Sequence, residues 1–132
     1  MGCEASYNGK QATRSAEKMD KDNELFILWT NADVLTSEKM VMMYATNSLL
    51  KNWWGAVTVI IWGATAKLAA ENALIQDKLK IAQEAGVQFT ACKACADQLG
   101  VTEKLEGMGI EVKYWGQPLT EILKENKKLI TI

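Results

Sequence analysis

The sequence predicts an α/β fold, a three-layer α/β/α sandwich built around a five-stranded parallel sheet. Short apolar runs of strand length alternate with longer stretches of helical periodicity, and that order with short joints implies right-handed crossovers between parallel strands. Gly55, Gly86 and Gly109 each follow a helical stretch and precede a strand, the place of a left-handed helix C-cap. A chain of 132 residues, 48% hydrophobic and 23% charged, suits one domain around a single core.

Each element has its own signature. Leu25-Phe26-Ile27-Leu28-Trp29 is a continuous apolar run, and Val57-Thr58-Val59-Ile60-Ile61-Trp62 is β-branched and nearly continuous. Both read as central strands covered on two faces, the habit of parallel sheets. The runs at 87–91 and 110–115 alternate, and Glu111 with Lys113 marks the fourth as an edge strand. Leu129-Ile130-Thr131-Ile132 is a short fifth strand, also at an edge. The first helix is predicted over 37–52, where Met40, Val41, Met43, Tyr44, Leu49 and Leu50 spread widely around the circumference. That much apolar surface implies deep burial or a subunit interface. Residues 64–85 hold one or two helices with Ile75, Leu79 and Ala82 inward. A short helix follows Cys95, and another starts near Thr102. Pro118 opens the last, in a first turn where its missing N–H costs nothing.

Residues 1–23 are polar, mixed in charge and aperiodic, and read as a flexible arm ahead of a domain spanning 24–132. Met1-Gly2-Cys3-Glu4-Ala5-Ser6 matches an N-myristoylation pattern with a cysteine placed for palmitoylation, a pattern short enough to recur by chance. Gly2-Cys3 also fits the stub of a bacterial lipoprotein signal, although no apolar signal region is visible.

Composition excludes several functions. A net charge of −1 argues against nucleic-acid binding, which draws its affinity from clustered Lys and Arg. No apolar run approaches the roughly 18 residues of a membrane span. The sequence holds no histidine, which excludes Ser-His-Asp and Cys-His catalysis and every metal site that needs imidazole. Three unevenly spaced cysteines are too few for a disulfide framework and point to reduced thiols in a reducing, cytoplasmic compartment. Lipid anchoring through Cys3 is the alternative. Gly107-Met108-Gly109 precedes a strand and is no dinucleotide loop, and no other cofactor motif is present.

Ligands of open parallel sheets bind beyond the carboxyl ends of the strands. There the sequence places Trp29, Trp62 and Trp115, with Cys92 at the end of the third strand. These tryptophans either fill the core top or present indole N–H groups to an anionic or sulfur-bearing ligand. Trp62-Gly63 opens a helix whose N-terminus can hold a small anion. Asn31 and Asp33 line the same rim or simply form the turn and cap the first helix. Ala91-Cys92-Lys93-Ala94-Cys95-Ala96-Asp97 is the sharpest chemical feature. Cys95 falls in a helical first turn, where free N–H groups favour thiolate, and Lys93 adds to this if it turns toward the sulfurs. Such a pair serves as a redox dithiol, as half of a metal site shared between subunits, as inert core cysteine, or in sulfur transfer, where a thiolate attacks without an auxiliary base.

The stretch from Glu24 to Asp33, the Trp62-Gly63 corner, Gly86-Val87 leading to Ala91-Cys92-Lys93-Ala94-Cys95-Ala96-Asp97-Gln98-Leu99-Gly100-Val101, and Gly109 through Thr120 resemble the DsrE-like sulfur-relay family. The resemblance covers residues 24–132 and leaves out the arm. It implies a five-stranded parallel sheet between helices and a homo-oligomer: a dimer, trimer or hexamer. It also implies a cysteine, Cys92 here, that carries sulfur as a persulfide and exchanges it with a sulfur donor or acceptor protein or a small sulfur species. Such a protein is a sulfurtransferase or a plain carrier. Cys95 departs from the single-thiol pattern, which opens the alternative of a dithiol redox protein. A non-catalytic oligomeric module that binds a small ligand or a partner is a further alternative.

Overall fold

The structure, a computed structural model, describes residues 22–132. The lipidation pattern around Cys3 and nearly all of the arm lie outside these residues. Strands β1 (Glu24–Trp29), β2 (Ala56–Ile61), β3 (Gln88–Cys92), β4 (Glu111–Lys113) and β5 (Lys128–Thr131) form one sheet in the order β4-β3-β2-β1-β5. Every pairing is parallel. The two predicted edge strands are the two edges.

Among the described residues, six helices accompany the sheet. The first, α1, runs through three segments, Val34–Thr36, Ser37–Met42 and Met43–Leu50. The others are α2 (Ala64–Glu71), α3 (Ala73–Glu84), α4 (Lys93–Leu99), α5 (Thr102–Gly107) and α6 (Gly116–Lys124). The predicted 64–85 stretch is thus two helices. They part at Asn72, which leaves helical geometry (ψ 115°) and caps α3 by accepting from the Ile75 N–H at 3.0 Å.

Strand alternation assigns the two faces of the sheet. Leu25, Ile27 and Trp29 of β1 point to the same side as Val57, Val59 and Ile61 of β2 and Phe89 and Ala91 of β3. On that side they pack with Val41, Met42 and Ala45 of α1, Ala66 and Ala69 of α2, Ile75, Leu79 and Ala82 of α3, Ala96 of α4 and Leu105 of α5. Each fully buried aliphatic side chain there contributes about 1.5–3 kcal/mol. The second face carries a smaller cluster, Phe26, Ile60, Trp115 and Ile122, supported by Leu28, Trp62, Leu119 and Leu129. The three layers are therefore unequal. Among the described residues, α6 is the helix that packs into this second cluster.

Two expectations need correction. Gly55 is not a left-handed cap: Asn52 takes the positive φ (56°) after α1, whereas Gly86 and Gly109 do adopt positive φ. At Gly55 a Cβ would stand 2.8 Å from the Asn23 side-chain Nδ2, so close approach and not backbone conformation favours glycine there. The first helix also starts earlier than residue 37, at an Asp33 cap that accepts from the Thr36 N–H at 2.8 Å. Its middle segment, Ser37–Met42, is a wider π-helix. Five-residue spacing puts Ser37 and Met42 on one face, and both are buried together with Val41.

Candidate functional site

The site is built where β3 ends and α4 begins. Cys92 closes the strand and serves as the N-cap of α4, in extended geometry (φ −67°, ψ 117°). The helix that starts at Lys93 brings Cys95 round within its first turn. Gly100, at φ 73°, ends that helix with a left-handed residue, and Val101 follows. Cys92 is buried, with 5% of its surface exposed. Cys95 is half-buried, and both thiols are free. Burial, and then the Cys92 side chain lying against it, push the Cys95 thiol above its ordinary range, while the Gly63 backbone opposes the shift. Cys95 therefore keeps its proton at a pH where an isolated thiol loses it.

Gly63 enters from the next strand over. Its backbone (φ 70°, ψ −128°) lies in a region that side chains exclude, and it caps α2. The corner is pinned by Thr65, which is fully buried. Its hydroxyl accepts from the Trp62 N–H at 3.1 Å and sits 2.7 Å from the Trp29 carbonyl. The Trp62-Gly63 corner and the Cys92-Cys95 turn, far apart in sequence, are thus brought together.

The other predicted residues take different places. Trp29 is completely buried among the helices of the first face, and its indole N–H is shared between Ser37 Oγ at 3.0 Å and the Asn31 carbonyl at 3.1 Å. Trp115 lies on the second face, where its indole donates to Thr90 Oγ1 at 2.7 Å. Trp62 is half-buried beside the second cluster. The three tryptophans share the carboxyl end of the sheet but not a face, and the indoles of Trp29 and Trp115 are already bonded within the protein. Asn31 forms the turn, accepting from the Asp33 N–H at 2.9 Å. Lys93 turns away from the sulfurs to Asp97 Oδ2, 3.0 Å away, and this partner raises its pKa. The Thr102 and Lys93 side chains in turn hold Asp97 below the usual carboxylate range.

Sequence reasoning missed Thr90 and Ser37, the buried hydroxyls that hold the two tryptophans. A lone Thr or Ser inside an apolar element gives no signal of which indole it will meet. Also missed was a groove of about 520 Å³ on the second face, lined by Phe26, Thr58, Gln88, Thr90, Glu111 and Trp115 among others. Among the described residues, no three His, Cys, Asp or Glu side chains gather as a metal cluster. What the turn does offer chemically is two adjacent thiols, one covered and one open.

Comparisons with known proteins agree with the fold. A family model described as the DsrE/DsrF-like family matches residues 2–132. A conserved protein of unknown function from Bacteroides thetaiotaomicron, BT1422, shares 37% identity. The match covers 86% of this chain and 98% of that one, with a TM-score of 0.84. The ychN protein from E. coli shares the fold at 16% identity and a TM-score of 0.63, over 83% of this chain and 99% of that one. No curated protein matches the chain.

Proposed function

We propose, from the premise that this chain belongs to the DsrE/DsrF-like family, that it handles sulfur and holds it as a persulfide on Cys92. The observation that carries this reading is the position of Cys92, at the carboxyl end of a central strand and at the cap of the following helix. A thiolate there attacks the terminal sulfur of a donor, and the donor leaves as a sulfide one atom shorter. The reaction needs no histidine, and none is present. Burial of Cys92 suits storage, because it keeps reductants from the bound sulfur. The free thiols fit a reducing, cytoplasmic setting. Among the described residues, no helix is long and apolar enough to cross a membrane.

The protein works as a homo-oligomer in this reading. Leu35, Met43 and Leu50 on α1 and Leu74 and Ile81 on α3 are exposed apolar side chains on neighbouring helices, a surface that a second copy would cover.

A second reading has a specific observation behind it. Cys92 and Cys95 are near enough that the Cys92 side chain helps to raise the Cys95 pKa. Attack of Cys95 on the inner sulfur of a Cys92 persulfide would release hydrosulfide and leave a disulfide, making the protein a dithiol reductase.

Incubation with inorganic polysulfide followed by intact-mass measurement tests the main reading. The wild-type chain should gain one sulfur atom and keep it through desalting, and Cys92→Ser should lose this long-lived species. A chain that takes up no sulfur contradicts the persulfide reading. So does a Cys92→Ser variant that holds sulfur as long as the wild type. Rapid release of hydrosulfide with loss of two hydrogens from the chain favours the reductase.

A further inference from the structure

We propose that Cys95 is the thiol through which sulfur enters and leaves when the donor or acceptor is too bulky to reach the covered Cys92. This rests on the persulfide reading of Cys92. The burial order carries it: the storage thiol is covered, with 5% of its surface exposed, whereas Cys95, one turn along, is half-open. A thiol held on a large molecule meets Cys95 first. The surface around Cys95 points to the kind of partner. Leu99 lies four residues on along α4, on the same helix face as Cys95, and is 45% exposed. Apolar surface beside an open thiol gains nothing from an inorganic ion, but it is buried usefully against a bulkier organic donor.

The transfer balances without an external oxidant. Cys95, as thiolate, attacks the outer sulfur of a donor persulfide, R–S–SH. The donor S–S bond breaks, and the departing thiolate takes up the proton that Cys95 gave away. Cys92, as thiolate, then attacks the same outer sulfur. The bond to Cys95 breaks as the bond to Cys92 forms, and the proton on that sulfur passes to Cys95. One sulfur atom has moved from donor to Cys92, and R–SH is the other product. The raised pKa of Cys95 lowers the thiolate fraction available for the first attack. The proton is back on Cys95 at the end, so the shift bears on the rate of entry and not on its direction. Delivery to an acceptor thiolate runs the same steps in reverse.

Two donors of different size test the proposal on the full chain: inorganic polysulfide and glutathione persulfide. In the Cys95→Ser variant, loading from glutathione persulfide should fall about tenfold or more relative to loading from polysulfide. In the wild type, a bulky maleimide should label Cys95 before Cys92. In Cys92→Ser, sulfur from glutathione persulfide should stop on Cys95 as a short-lived adduct. Equal loss with both donors, or first labelling at Cys92, would overturn the entry role while leaving Cys92 storage intact. A wild-type chain that accepts sulfur from neither donor would overturn the storage reading and this inference with it.

Discussion

Cys95 and Gly63 set the local chemistry. Cys95 keeps its proton because burial and the neighbouring Cys92 both disfavour its charged form. Its alkylation should therefore reach half-maximal rate at a pH above the value of about 8.5 for a free thiol. In Cys92→Ser that midpoint should move down, as the second cause is removed; an unmoved midpoint in rate-versus-pH labelling would separate the two thiols. Gly63 is required by backbone conformation alone, since a Cβ there would meet nothing within 4 Å. Gly63→Ala should cost about 1–3 kcal/mol in denaturant unfolding. A cost near zero would mean that the corner relaxes to ordinary geometry. The cysteine turn was legible in the sequence because strand, cap and first turn follow one another along the chain. The sharing-out of the tryptophans was not. In the continuous apolar run of β1 both faces read alike, so the parity that sends Trp29 to the first face emerges only from the register of the assembled sheet. Trp115 stands past the end of β4 as the N-cap of α6.

At the scale of elements, the second face depends on α6. Ile122 is buried against Phe26, Ile60 and Trp115, and Leu119 packs beside it. Ile122→Ala should cost about 2–4 kcal/mol and loosen the seat of Trp115. Denaturant unfolding measures the loss, and tryptophan emission should report a wetter indole; unchanged stability would mean that the second face does not need its helix. The edge strands were readable because charge alternation marks β4 and shortness marks β5, whereas the full strand order emerges only in the assembled sheet. The π segment of α1 was not readable. Ser37 sits inside an otherwise ordinary helical sequence, and what draws it inward is the Trp29 indole, eight residues back. Asn52 in place of Gly55 as the left-handed residue is a similar case: a non-glycine took the turn, and close approach to Asn23 claimed the glycine.

At the scale of the whole molecule, among the described residues, five helices on one face and α6 on the other leave a groove over β2, β3 and β4 and an apolar helical flank over α1 and α3. Light scattering should find an assembly larger than a monomer at micromolar concentration. Met43→Glu and Ile81→Glu should dissociate it by placing charge in the contact, and an unaltered assembly would move the interface elsewhere. Trp53, 53% exposed near the amino end of the sheet, should keep its emission in both variants if the flank alone is buried.

The central claim is that sulfur rests on Cys92, and Lys93 makes it directly measurable. Trypsin cuts after this residue and separates the two cysteines, giving one fragment over residues 81–93 and another over 94–104. After loading with polysulfide, removal of excess donor and alkylation, fragment masses should place the added sulfur on 81–93. An added sulfur found only on 94–104, or a disulfide joining the two fragments with no persulfide on either, would contradict the account.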